Sequence, residues 1–265
     1  MRALALLYHD VVAADDWDAS GFSGAGASSY KLERGHFERH LAAIRTAAVA
    51  HGTVRDLVAG SPSPAGPRRV LMTFDDGGAS AYGCTADLLE DVGWRGHFLI
   101  TTDYLGTKGF VTGAQIRDLA ARGHVIGTHS CSHPAIMSAC SWHQLVDEWT
   151  RSTAVLGDVL GEPVRVGSVP GGNFSRRVAA AAAAAGMTAL FTSEPTTRCR
   201  SVAGCLVVGR YTLRRDTPVA AAAALASGRV VARLRQVAWW NLKKVAKGIG
   251  GHAYLALRRA IYERA

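Results

Sequence analysis

The chain has 265 residues, 48% hydrophobic and 19% charged, which supplies a large core and excludes a disordered chain. No apolar run reaches the roughly 18 residues of a membrane span, and five cysteines without a Cys-x-x-Cys spacing argue against a disulfide framework or a structural zinc site. The formal charge of +9 is lopsided: residues 229–265 hold nine Lys/Arg against one acid, Glu263, a net +8 that leaves +1 for residues 1–228.

The apolar run at the N-terminus stops at Tyr8 without a small-residue cleavage site, so Ala3–Tyr8 is expected to be a buried strand and not a signal peptide. With reduced thiols, this leads us to expect a cytoplasmic protein. Residues Ala13–Ser29, rich in Gly, Ser and Ala without a period, read as a long loop. Helical spacing follows over Phe37–Val49, and then a second loop at Ser61–Pro67. Short apolar runs at Val70–Phe74, His97–Thr101, Val125–Thr128, Val164–Val169, Ala189–Thr192 and Leu206–Val208 read as buried strands. Cys84–Val92, Ala114–Arg122, Ser141–Leu160 and Ser175–Ala185 read as the helices between them, with Gly93, Gly123, Gly161 and Gly186 placed as C-terminal caps. Alternation of this kind predicts an α/β fold with a parallel sheet, one domain over residues 1–228 and a basic helical tail over 229–265.

The chemistry sits just after the strands. Ala3–Tyr8 is followed by His9-Asp10, Val70–Phe74 by Asp75-Asp76, Val125–Thr128 by His129 and then His133, and Val164–Val169 by Pro170-Gly171-Gly172-Asn173. In a parallel α/β barrel these ends converge on one face. Adjacent carboxylates repel each other and lose hydration on burial, and a cation relieves both problems. Two histidines four apart face one way if their segment enters a helix, so that both imidazoles reach one metal. One carboxylate and two imidazoles make a catalytic rather than structural ligand set, which leaves the other aspartate as a base for a bound water. Zinc suits that set, and Co2+, Ni2+ or Fe2+ would fit it too.

Thr73-Phe74-Asp75-Asp76-Gly77 and His129-Ser130-Cys131-Ser132-His133 resemble the first two motifs of the NodB-type polysaccharide deacetylases, carbohydrate esterase family four. Val169-Pro170-Gly171-Gly172-Asn173-Phe174 resembles the third, and the likeness runs from about Val70 to Thr192. It implies a distorted (β/α)7-8 barrel that removes an N-acetyl group from an amino sugar. It implies further that Asp75 is the catalytic base, that Asp76, His129 and His133 hold the metal, and that the turn Pro170, Gly171, Gly172, Asn173 meets the substrate and the oxyanion. Two positions depart from the family pattern. The arginine that opens the third motif is replaced by Ser168, or stands at Arg165 if the register slips. The late Leu-His pair that supplies the acid is missing, the last strand ending instead in Gly209-Arg210-Tyr211. His9, at the end of the first strand, is the candidate substitute; His252, in the tail, is the weaker one. The pattern fits a divergent subgroup.

His97 and His124 are expected to be structural, Cys131 to have no role, and Trp142 and Trp149 to be core. Asp103 and Glu194 are candidates for the mouth of the site. In the tail, Val231, Leu234, Ala238, Leu242, Val245 and Ile249 form an apolar helical stripe. That stripe either packs on the barrel or lies on an anionic membrane surface, in which case the sugar would be a lipid-linked glycoconjugate. No nucleic-acid recognition motif accompanies the charge. The readings that compete with an amino-sugar deacetylase are a metal amidohydrolase acting on a non-sugar amide, and a non-catalytic membrane-associated sugar-binding descendant.

Overall fold

A computed structural model describes residues 1–47, 49–59 and 69–242. Its strands are β1 (Leu4–Tyr8), β2 (Val11–Val12), β3 (Leu32–Glu33), β4 (Ala50–His51), β5 (Arg69–Phe74), β6 (Gly96–Ile100), β7 (Val125–Thr128), β8 (Val166–Ser168), β9 (Ala189–Thr192), β10 (Arg200–Val202), β11 (Cys205–Gly209) and β12 (Tyr211–Thr212). The helices are α1 (Ala25–Ser28), α2 (Arg34–Thr46), α3 (Val54–Val58), α4 (Ala86–Asp91), α5 (Gly113–Ala121), α6 (Trp142–Leu160), α7 (Arg176–Ala184) and α8 (Val219–Ala226). The main sheet runs β10-β11-β9-β8-β7-β6-β5-β1-β12, with β4 beside β5. Every pair in it is parallel except β10 with β11.

β11 and β12 are two halves of one run of chain, jointed at Arg210. The first half pairs with β9 and the second with β1. The sheet therefore curls until a single strand run touches both of its sides, the distorted (β/α) barrel of the NodB type that the sequence implied.

Side chains on a strand alternate between its two faces. Ala3, Ala5, Leu71, Leu99, Val125, Val166, Ala189, Phe191 and Val208 turn inward and form one core cluster. The intervening residues turn outward: Leu4, Leu6, Tyr8, Val70, Met72, Phe74, Phe98 and Ile126 pack under α2, α4, α5 and α8. Leu190 and Val207 pack with Leu145, Trp149, Val178 and Ala182 of α6 and α7. Burial on both faces is why these strands read as continuous apolar runs.

The glycines expected at helix ends all take left-handed backbone, with φ of +75° at Gly93, +89° at Gly123, +72° at Gly161 and +84° at Gly186. Several expectations need correction. The second helix starts at Arg34, ahead of Phe37. The stretch from Cys84 starts inside a π-helical turn over Ala81–Thr85, and the α-helix itself is Ala86–Asp91. Trp149 is core, but Trp142 opens α6 at 47% exposure, where the helix has not yet reached the barrel. The loop Ser61–Pro67 lies wholly outside the described residues, as do Val245, Ile249, His252 and the rest of the chain beyond 242.

Residues 230–242 are helical. Gln236 ties them to β12: Thr212 N–H donates to Gln236 Oε1 at 3.1 Å, and Gln236 Nε2 donates back to the Thr212 carbonyl at 2.8 Å. Ala232 packs against the outer core. The stripe residues Val231, Leu234 and Leu242 face the opposite way, into solvent.

Candidate active site

Strand parity builds the site. Continuing the inward series past each strand end gives His9 after β1, Asp75 after β5, His129 after β7, Ser168 on β8, Ser193 after β9 and Arg210 after β11. His9, Asp75, Asp76, His129, His133 and Ser193 line one cleft of about 630 Å3, a size that suits a small ligand.

Asp76, His129 and His133 offer ligand atoms that all lie within 4.8 Å of one another. Asp76 Oδ1 is 3.5 Å from His129 Nε2 and 3.6 Å from His133 Nε2. Atoms held 2.0–2.1 Å from a tetrahedral ion stand about 3.4 Å apart, so the spacing is that of ligands and too long for hydrogen bonds. Asp76 Oδ1 is buried without a hydrogen-bond partner among the described residues, which a cation would remedy. Burial, reinforced by the charges of Asp75 and Asp10, pushes the Asp76 carboxyl up to about 7. Burial also lowers His129, to about 3, and His133, which keeps both imidazoles in the neutral, metal-binding form. The residues therefore fit a divalent metal.

The histidines converge by a different route from the helical one expected. Residues 129–136 are a loop, not a helix, and Ser130 and His133 stand at φ of +68° and +58°. Asp76 is at +75°. Among the described residues only five non-glycines have positive φ, and these three belong to the candidate metal site, where the surroundings must hold such strain. Glu148 of α6 does so for the loop. One of its oxygens accepts from the Cys131 and Ser132 amides, each at 2.9 Å, and the other from Ser132 Oγ. Phe22, from the long N-terminal loop, packs on the His133 ring at 5.0 Å. That loop is strapped down by buried Lys31, whose Nζ donates to the Trp17 and Phe22 carbonyls.

Asp75 sits beside this centre with a dedicated cation. Arg210, fully buried, donates from Nη1 to Oδ1 and from Nη2 to Oδ2, both at 2.7 Å. Burial alone would raise the Asp75 carboxyl, but the Arg210 guanidinium, with His129, outweighs it and holds it well below the usual carboxylate range. Ser168 joins the two halves. A carboxylate only accepts, so Ser168 Oγ donates to Asp75 Oδ1 at 2.9 Å and is left to accept from His129 Nδ1–H. That bond fixes the tautomer and leaves Nε2 free towards Asp76.

The arginine expected near the third motif is thus found at Arg210, 42 positions after Ser168 in the sequence. Arg165 is exposed, so a slipped register is excluded. Arg210 had a signal: two residues beyond inward-facing Val208, it shares that parity. Glu148 had none, because its role depends on where α6 packs.

His9 lines the cleft, 4.8 Å from the Tyr30 ring, and its Nδ1 is buried without a hydrogen-bond partner among the described residues. Burial lowers its pKa against the opposing pull of Asp76 and Asp75. Gly171 and Gly172, at φ of +61° and +68°, line the cleft. Pro170 is buried behind them, and the Asn173 amide donates across to the Ala135 carbonyl at 3.2 Å. A Cβ on Gly172 would stand 3.2 Å from Trp240, so the glycine lets the C-terminal helix close over the site. Trp239, Trp240, Gln236 and Arg214 complete that wall.

Asp103 and Glu194 do not line the cleft. Asp103 accepts from the Cys131 thiol at 3.0 Å, and Glu194 is paired with Arg200. His97 and His124 are structural: His97 Nδ1 meets the Met72 carbonyl at 2.7 Å, and His124 Nε2 meets Glu90 at 2.8 Å.

The model of the polysaccharide deacetylase family matches residues 63–190. Among solved structures, IcaB from Ammonifex degensii is similar at 22% identity and TM-score 0.69, covering 85% of this chain and 97% of that one. A de-N-acetylase from Aggregatibacter actinomycetemcomitans follows at 19% and 0.66, covering 82% and 97%. A polysaccharide deacetylase from Bacillus cereus matches at 16% and 0.69, covering 85% and 69%. At these identities the likeness is one of fold.

Proposed function

From its place among the NodB-type polysaccharide deacetylases, we propose that this chain is a metal-dependent hydrolase that removes an N-acetyl group from an amino sugar or its glycoconjugate. The observation that carries this reading is a cation-ready triad, Asp76, His129 and His133, sharing one cleft with an ionised, arginine-held Asp75.

Asp76 Oδ1, His129 Nε2 and His133 Nε2 hold a divalent ion; zinc suits the set, and cobalt, nickel or iron would also fit. When bound, that ion supplies Lewis acidity to the amide carbonyl and to the attacking water. Asp75 takes the proton of that water. Arg210 keeps the carboxylate ionised and oriented until then, and Ser168 fixes its rotation. Gly171 and Gly172 bring main chain close to the reacting carbonyl, where backbone N–H groups meet the developing oxyanion. His9 is neutral at rest because burial lowers its pKa. It takes a proton from solvent in the cleft as negative charge develops beside it and passes that proton to the leaving amine, while the proton held by Asp75 returns to solvent as the product leaves. Five free thiols suit a reducing compartment, and we place this work in the cytoplasm.

The test is acetate release from N-acetylhexosamine oligomers, read beside metal content. Wild type should hold about one divalent ion and release acetate. Asp75→Asn should keep the ion and lose about 10²–10⁴-fold in rate, and His129→Ala should lose the ion. A fully active Asp75→Asn variant, or a wild type that takes up no zinc or cobalt, would overturn the reading.

A further inference from the structure

The C-terminal helix has two working faces. Its inner face is part of the barrel: Gln236 is bonded to β12, and Gln236 and Trp240 wall the cleft. Its outer face leaves apolar side chains in water, with Val230 at 58% exposure, Val231 at 72%, Leu234 at 59% and Leu242 at 60%. The helix supplies four of the exposed large aliphatic side chains, more than any other element among the described residues, so this is a patch and not scatter. Arg235 is exposed on the same helix, and Arg229, also exposed, directly precedes it. Six more Lys/Arg follow it in sequence: Lys243, Lys244, Lys247, Arg258, Arg259 and Arg264.

We propose that the outer face of residues 230–242 docks on an anionic lipid bilayer and sets the mouth of the cleft at the membrane surface, where it takes an amino sugar carried on an anionic lipid. Charge selects the occupant. Residues 229–265 carry a net +8, whereas residues 1–228 carry +1, so the attraction to an anionic surface belongs to the stretch of sequence that starts with this helix. A second copy would bring the same +8 against itself. An apolar face with basic residues around it is the pattern of a helix lying in the plane of a bilayer interface. Because the opposite face of that helix walls the cleft, docking brings the cleft to within one helix diameter, roughly 10 Å, of the lipid headgroups. No helix among the described residues is long and apolar enough to cross a membrane, so the contact is peripheral. The docking stands on the helix alone, while the lipid-borne sugar as substrate rests on the deacetylase reading above.

The full-length chain is sedimented with vesicles of phosphatidylcholine alone or mixed with phosphatidylglycerol. Wild type should partition onto the mixed vesicles, remain in solution with the neutral ones, and be released by salt. The triple variant Val231→Glu/Leu234→Glu/Leu242→Glu should lose binding about tenfold or more with an unchanged melting temperature, since all three side chains are exposed and away from the cleft. The variant Lys243→Gln/Lys244→Gln/Lys247→Gln checks the charge contribution should the first fold poorly, and it should also bind more weakly. Wild type staying in solution with mixed vesicles overturns the proposal, as does a triple Glu variant that binds as well as wild type. A wild-type dimer that the Glu changes split, without vesicle binding, would assign the face to self-association and overturn it too. Acetate release from soluble oligomers should be the same in the Glu variant and wild type. Vesicle binding without any deacetylation would sink the proposed function and leave the docking standing.

Discussion

At Asp75, one guanidinium decides the charge state. The carboxylate is buried, and among the described residues the cationic side chain bonded to both of its oxygens is Arg210. Its pKa in the fold lies below the unfolded value of about 3.9, so the pair's stabilisation is present above that pH and fades as pH falls through the folded value. Arg210→Met removes the cation from a buried charge, which should cost about 3–5 kcal/mol in chemical denaturation. The freed carboxyl then titrates upward, so kcat/KM at neutral pH should drop about 10²-fold and recover partly as pH rises. A variant with the wild-type pH profile would remove Arg210 from the mechanism. Asp76 titrates the other way. Without a cation it is pushed up to about 7, so between pH 4 and 7 the folded chain binds more protons than the unfolded one and loses stability as pH rises. A bound cation cancels that loss. Stripping metal with a chelator should therefore lower the melting temperature more at pH 8 than at pH 5, and an equal drop at both would contradict the assignment of Asp76 as a ligand.

Among elements, the 129–136 loop and α6 act as a pair. The loop has no helical hydrogen bonds of its own, and two of its amides end on Glu148. Glu148→Ala leaves those N–H groups unpaired beside a strained turn. We expect metal affinity to fall about 10–100-fold, the scale seen for residues that hold ligands in place, while α6 itself survives on its apolar face. Isothermal titration of the stripped protein with zinc reads this directly. Unchanged affinity would show that the loop holds its own shape.

Across the whole molecule, the curl of the sheet depends on the joint between β11 and β12. Gly209 lies there because a Cβ would stand 2.4 Å from the Glu194 carbonyl oxygen and 2.7 Å from that of Thr196, and neither is free to swing away. Gly209→Ala should destabilise the fold by about 3 kcal/mol and disturb Arg210 with it, so stability and activity should fall together. Gly83→Ala, where a Cβ meets nothing within 4 Å, is the control and should be neutral in the same melting assay. Equal behaviour of the two variants would mean that the seam gives way easily.

Strand positions were legible in the sequence because strands buried on both faces stand out as apolar runs: Val125–Thr128 and Ala189–Thr192 match without adjustment. The candidate ligand set was legible because Asp75-Asp76 and His129/His133 are local signals, and the structure brings Asp76, His129 and His133 together. Helix starts were less so, since Arg34 and Ala81 begin their turns through packing and not through periodicity. Arg210 and Glu148 were assigned no role from sequence, because what they hold lies 135 and 17 positions away and only the curl of the sheet and the seat of α6 bring them there. The same holds for the tail, whose apolar stripe was readable but not its direction. The sequence by itself determined which candidate groups stand at the ends of the strands. The tertiary structure decided which partners hold them ready and which face of the last helix is left in water, because those depend on long-range closure of the barrel.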